Sequence, residues 1–132
     1  MSRDSIAPLI KGDLDAPIWD AWADGNRFVL HRCGTCGRHD WPASCCPEHG
    51  TMAMEWVDTP GAGIVDTYTI FHRAYIKELA SEVPYVVAVV RLDEGPYFHT
   101  RLVEMASEDV KSGMRVRVRR GAGDDFPLFT LE

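Results

Sequence analysis

Four cysteines fall within fourteen residues, at Cys33, Cys36, Cys45 and Cys46, and His49 follows close behind. The pattern is Cys33-x-x-Cys36, nine intervening residues, then Cys46-x-x-His49. Two short chelating turns joined by a small loop suit one tetrahedral Zn²⁺. A glycine follows each pair, Gly37 after Cys36 and Gly50 after His49. Glycine takes a positive φ without a Cβ clash, so each turn can aim backbone N–H groups at its ligand atoms. Counted back from His49, Cys46 has the two-residue spacing and Cys45 does not. The spacing therefore selects Cys33, Cys36, Cys46 and His49 as metal ligands. Cys45 is left spare, either buried or able to replace His49 if the second turn shifts.

Other sulfur chemistry fits less well. The stretch MSRDSIAPLIKGDLDAP has no long apolar region and no signal-cleavage pattern. A cytoplasmic location is expected, and disulfides are disfavoured there. A redox Cys-x-x-Cys wants a helix N-terminus to lower a thiol pKa, whereas Gly34, Thr35 and Gly37 belong to a strand–turn setting. Catalytic zinc keeps one coordination position open, and four protein ligands leave none. The metal is read as structural Zn²⁺ that stabilises a segment too small to fold alone.

Elements must position these ligands. RFVLHRC reads as a strand entering the cysteine segment and MEWVD as a strand leaving it. Before them, DAPIWDAWADGNR reads as a short helix, with Asp15 as cap, Pro17 in the first turn and Gly25 as the stop. Ile18 and Trp22 share a face of it, and Trp19 lies beside them. After the turn marked by Gly61 and Gly63, five segments rich in β-branched and aromatic residues follow: GIVDTYTIFH, YVVAVVRLD, YFHTRLVE, MRVRVRR and PLFTLE. RAYIKELASEVP interrupts them with local helical character ending at Pro84, and MASEDVKSG holds one helical turn begun by Ser107. Five short strands with a helical interruption suit a small closed barrel of the oligonucleotide/oligosaccharide-binding (OB) type. The expected fold class is mainly β: an arm and helix over 1–26, a zinc ribbon over 27–58 and a five-stranded OB barrel over 59–132.

The chain has 132 residues, 45% of them apolar, which is enough for a core. No apolar run approaches the ~20 residues of a membrane span. A formal charge of −6 argues against general affinity for phosphate backbones. No G-x-S-x-G, P-loop or G-x-G-x-x-G is present. GAG recurs at Gly61 and Gly121 and is read as turn-forming. In DTYTIFHRAY, alternation puts Asp66, Tyr68, Ile70 and His72 on one strand face. That raises an Asp66–His72 pair against the plainer reading of a barrel strand with a polar end. His99 is read as partly buried and hydrogen-bonded.

The segments IWDAW, FVLHRCGTCG, DWP, CCPEHG, MEWVDTPGAGIVDTYTIFHRAY and EVPYVVAVVRLDEGPYFHTRLV, taken in this order, resemble the DUF35 family from about residue 15 to the end. The resemblance implies an N-terminal helix, a rubredoxin-like zinc ribbon and a C-terminal OB fold. In the family the ribbon usually carries four cysteines; here His49 stands fourth. It also implies a non-catalytic accessory subunit in a hetero-oligomer. The implied partner is a thiolase-fold enzyme (thiolase, acyltransferase or aldolase) or a hot-dog-fold hydratase, and the subunit helps to bind the partner's acyl-CoA. Candidate contacts are Trp19 and Trp22 on the helix, against a plainer reading as core packing on the ribbon or barrel; Arg73 and Tyr75 at the first interruption; and Arg115 and Arg117 in MRVRVRR, against a plainer reading as the solvated face of a barrel strand. Guanidinium groups suit an acidic partner surface or the CoA phosphates. The competing reading is a single-stranded nucleic-acid-binding module, since zinc ribbons and OB folds often take that role.

Overall fold

The computed structural model describes residues 15–74 and 76–132. The arm expected over residues 1–14 lies outside the described residues. Helix α1 spans Ala16–Ala23, with Pro17 in its first turn. Asp15 stands at the N-cap, but its side chain makes no capping hydrogen bond. Gly25, at φ +77°, follows the last turn, where an L side chain would be strained. Ile18 and Trp22 share a face yet serve different clusters. Ile18 and Ala21 pack with Val29, while Trp22 enters the barrel core.

A three-stranded antiparallel sheet follows, ordered β2-β1-β3, with β1 at Val29–Cys33, β2 at His39–Asp40 and β3 at Met54–Asp58. The two-residue β2 is too short to leave a period in the sequence. The five later strands are β4 (Ala62–Phe71), β5 (Tyr85–Leu92), β6 (Tyr97–Leu102), β7 (Arg115–Val118) and β8 (Phe129–Leu131), as expected. They close into a barrel ordered β4-β5-β6-β8-β7. The pairs are antiparallel except β6–β8, which meet through Leu102 and Phe129. Alternate residues point inward, as the strand period requires: Val86, Ala88, Val90 and Leu92 on β5, Phe98 and Leu102 on β6, Val116 and Val118 on β7.

The core does not stop at the barrel. Trp22, Phe28 and Leu30 belong to the same buried cluster. Phe98 is its hub: its ring lies 4.8 Å from Trp41, 5.3 Å from Phe28, and 5.7 Å from both Phe126 and Phe129. Helix, ribbon and barrel thus meet on one aromatic junction. Gly61 makes the expected turn at φ +71°. Gly63 does not turn. It lies within β4, where a Cβ would collide with the Arg91 carbonyl of β5, so the close strand approach requires glycine.

A β-bulge shifts the β4–β5 register between Val65 and Thr67. Asp66 is the extra residue. It is exposed, whereas Tyr68 and Ile70 pack against the core. The expected common face is therefore broken at Asp66. The two interruptions are 3-10 helices, Lys77–Glu82 and Ser107–Asp109, the second begun by Ser107 as expected. Among the described residues, no helix is long and apolar enough to cross a membrane.

Candidate metal centre and contact surfaces

Strand β1 delivers Cys33, fully buried, to the first turn. Cys36 follows within that turn and is exposed. Cys46 is buried and bridges to Gly50, which closes the second turn. The two turns share one construction. The Gly37 N–H donates to the Cys33 carbonyl and the Gly50 N–H to the Cys46 carbonyl, each at 2.8 Å. Both glycines have positive φ, +79° and +70°.

The ligand atoms of Cys33, Cys36, Cys46 and His49 all lie within 4.8 Å of one another. The Cys36 and Cys46 sulfurs are 3.7 Å apart, and His49 Nδ1 lies 3.6 Å from Cys33 Sγ and 3.4 Å from Cys46 Sγ. Zn–S bonds of about 2.3 Å and Zn–N bonds of about 2.0–2.1 Å imply tetrahedral edges of about 3.8 Å between sulfurs and about 3.6 Å between sulfur and nitrogen. The cluster has those dimensions, so these residues can hold one metal ion. A disulfide needs sulfurs about 2.05 Å apart, and all four cysteines are free. Cys45 is exposed and stands outside the cluster, so it is not a buried spare.

Backbone N–H groups tune the thiols. The Glu48 N–H, with His49, brings the Cys46 pKa down to about 6. At Cys36 the Arg38 N–H also favours the thiolate, but desolvation and the Cys33 and Cys46 sulfurs outweigh it and raise the pKa. The thiolate is the metal-binding form. The surroundings fix the first turn: the Cys33 N–H donates to the Arg38 carbonyl and the Gly34 N–H to the Ala53 carbonyl, both at 2.8 Å. His31 is a neighbour that sequence reasoning did not single out. Its ring stacks on Trp56 at 4.2 Å, and its Nδ1 accepts the Ser44 N–H at 2.9 Å. Burial lowers its pKa, against the Asp40 charge.

The expected contact residues fare unevenly. Trp22 is only 2% exposed, and its Nε1 donates to the Asp124 carbonyl at 2.8 Å. Trp19 is half-buried, with ring contacts to Trp41 at 5.9 Å and Phe126 at 5.5 Å. The two tryptophans therefore form no exposed stripe; the junction consumes them. Arg115 is engaged internally. It donates to both Asp93 oxygens, at 2.6 and 2.9 Å, and to Glu132 at 3.2 Å. The Asp93 hydrogen bonds raise its pKa further, and Arg115 in turn lowers that of Asp93. Arg117 is exposed and makes no ion pair with the described residues. Arg73 is exposed, and Tyr75 lies outside the described residues.

The reading of His99 needs correction, and for His72 the plainer reading of a strand with a polar end holds. His99 points outward from β6 and is exposed, because its neighbours Phe98 and Thr100 take the inward positions. His72 lies just past the end of β4 and, like Asp66, is exposed. Six residues of extended strand separate them by about 20 Å, so they form no acid–base pair. The sequence also gave no sign of a groove of about 280 Å³ on the outer face of β5 and β6. Its lining comes from two loops and two strands, so no local motif announces it.

Residues 56–120 match the family model described as ChsH2, C-terminal OB-fold domain. The chain is 38% identical over 104 residues to a protein named "Probable enoyl-CoA hydratase alpha subunit" from Thermomonospora curvata, an alignment covering 77% of this chain. The chain spans only 32% of that relative's length. It is 34% identical over 113 residues to a DUF35 domain-containing scaffold protein from Methanocaldococcus jannaschii, covering 84% of this chain and 79% of that one. Among solved structures it is similar to a chain of the Ltp2-ChsH2(DUF35) aldolase, with TM-score 0.79 and 31% identity over 93% of this chain and 98% of that chain. A DUF35-family protein of unknown function from Sulfolobus solfataricus shares the fold, with TM-score 0.63 and 18% identity over 92% of this chain and 87% of that one.

Proposed function

The chain belongs to the DUF35 family, and from that premise we propose that it is a non-catalytic accessory subunit of an enzyme that processes acyl-CoA thioesters. The observation that carries this reading is the match to 98% of a chain in the Ltp2-ChsH2(DUF35) aldolase. The similarity to a hydratase alpha subunit agrees with it. A thiolase-fold enzyme is the first partner class and a hot-dog-fold hydratase the second. The partner supplies the chemistry, and this chain helps to hold the acyl-CoA. Catalysis by the chain alone would require convergent groups, and Asp66 and His72 do not converge.

Within this reading, residues 27–58 are a zinc ribbon and 59–132 an OB domain, preceded by the arm and helix of 1–26. Cys33, Cys36, Cys46 and His49 hold one structural Zn²⁺. The metal locks the two turns at the end of β1, and through Trp41 the ribbon bears on the barrel core. Zinc thereby helps to make helix, ribbon and barrel one rigid body.

Co-expression with a thiolase-fold or hot-dog-fold subunit encoded beside it tests the proposal. The two chains are expected to elute together in size-exclusion chromatography as a defined hetero-oligomer. Separate elution from both partner classes would refute the accessory role.

A further inference from the structure

The outer face of β5 and β6 is basic in its own strands. The chain carries −6, yet these two strands contain no Asp or Glu and bring Arg91, His99 and Arg101. Cross-strand register sets Val87 beside Arg101, Val89 beside His99 and Arg91 beside Tyr97, in three outward rows. Above the first row opens the groove of about 280 Å³, with Val87, Ile76, Leu79, Phe126 and Leu128 in its walls. Ile76 is 42% exposed and Tyr97 50%, two of the four most exposed large apolar side chains among the described residues.

Two other arginines, Arg115 and Arg119, are satisfied internally, whereas Arg117 is exposed. Arg115 is held by Asp93 and Glu132, and Arg119 by Asp124 at 2.8 Å and Glu104 at 3.3 Å. On the β5–β6 face Arg101 meets Glu82 at 4.0 Å. Arg91 and His99 stay exposed.

We propose that this face is where the partner enzyme subunit docks. The docking segment carries a Leu- or Phe-sized side chain that fills the groove, flanked by carboxylates that meet Arg91 and His99. This rests on the accessory-subunit reading and names the surface it uses. Apolar burial at the centre supplies affinity. Attraction between the flanking carboxylates and Arg91 and His99 orients the segment over the groove. In an OB barrel, this pair of strands with its two flanking loops is also the usual ligand-binding side.

The test uses the full chain and the thiolase-fold or hot-dog-fold subunit that elutes with it, with affinity measured by titration at low and high salt. Ile76→Asp, and the double change Arg91→Glu with His99→Glu, are each expected to weaken the complex at least about tenfold. The double variant should lose less at high salt, where its charges are screened. All three positions are exposed, so thermal melts of the variants should match the parent. Lys111→Glu, the same kind of charge change away from this face, should leave the affinity unchanged. If the parent chain forms no complex, the accessory reading itself fails. If the parent binds and both variants bind within twofold of it, the docking face is wrong. Loss confined to Arg117→Glu would place docking on β7 and equally overturn it.

Discussion

Replacing Cys46 by Ser is expected to empty the metal centre, whereas replacing Cys45 by Ser leaves it filled. The two residues are adjacent, but only the Cys46 sulfur lies with Cys33, Cys36 and His49 inside one tetrahedron-sized cluster. Cys45 faces solvent. Metal analysis of the purified chains should give about one zinc for the parent and for Cys45→Ser, and close to none for Cys46→Ser. The structural effect should be large. Zinc contributes about 10–16 kcal/mol to the folding of small zinc peptides, against about 5–15 kcal/mol for the whole stability of a typical domain. The ribbon around Cys33–Met54 should therefore lose its fixed structure in Cys46→Ser. The near-ultraviolet signal of Trp41 and Trp56, which pack at its base, reads that loss directly. Equal zinc loss from both variants would contradict the ligand assignment.

Phe98→Ala is expected to be the most damaging apolar truncation. The side chain is fully buried and touches four other aromatic rings: Trp41 of the ribbon, Phe28 just before β1, Phe126 of the β7–β8 loop and Phe129 of β8. Removing a buried Phe costs about 3–5 kcal/mol, from lost burial and the cavity left behind. For a chain of this size that lowers the melting temperature on the order of 10–20 °C. Phe98→Leu, which keeps most of the volume, should lose much less. Trp19→Ala removes a larger side chain, but one that is only half-buried, and should fall between them. A melting temperature within about 3 °C of the parent for Phe98→Ala would show that the junction does not bear the core.

The Cys/His cluster was legible because chelating spacing is a local property: Cys-x-x-Cys-Gly and Cys-x-x-His-Gly state their geometry within five residues each. The five barrel strands were legible because alternation reports one buried face. Where that period breaks, reading failed. The bulge at Asp66 inserts one residue and cancels the inferred face with His72. His99 was taken as partly buried although Phe98 and Thr100 beside it claim the interior. Trp22 could be read as core or as a surface contact, because a helix face shows only what is apolar, not what covers it. Its cover is the β7–β8 loop, a hundred residues later in the chain. The β5–β6 groove was invisible for the same reason: Ile76, Val87 and Phe126 meet only in three dimensions.

The central claim is that this chain assists chemistry it does not perform. Steady-state turnover of an acyl-CoA thioester should be measured for this chain alone, for the partner subunit alone and for the complex, at equal active-site concentration. The chain alone should show no turnover, and the complex should exceed the partner alone at least about tenfold in kcat/KM. Turnover by the chain alone at the rate of the complex would contradict that claim, as would a complex no more active than its partner.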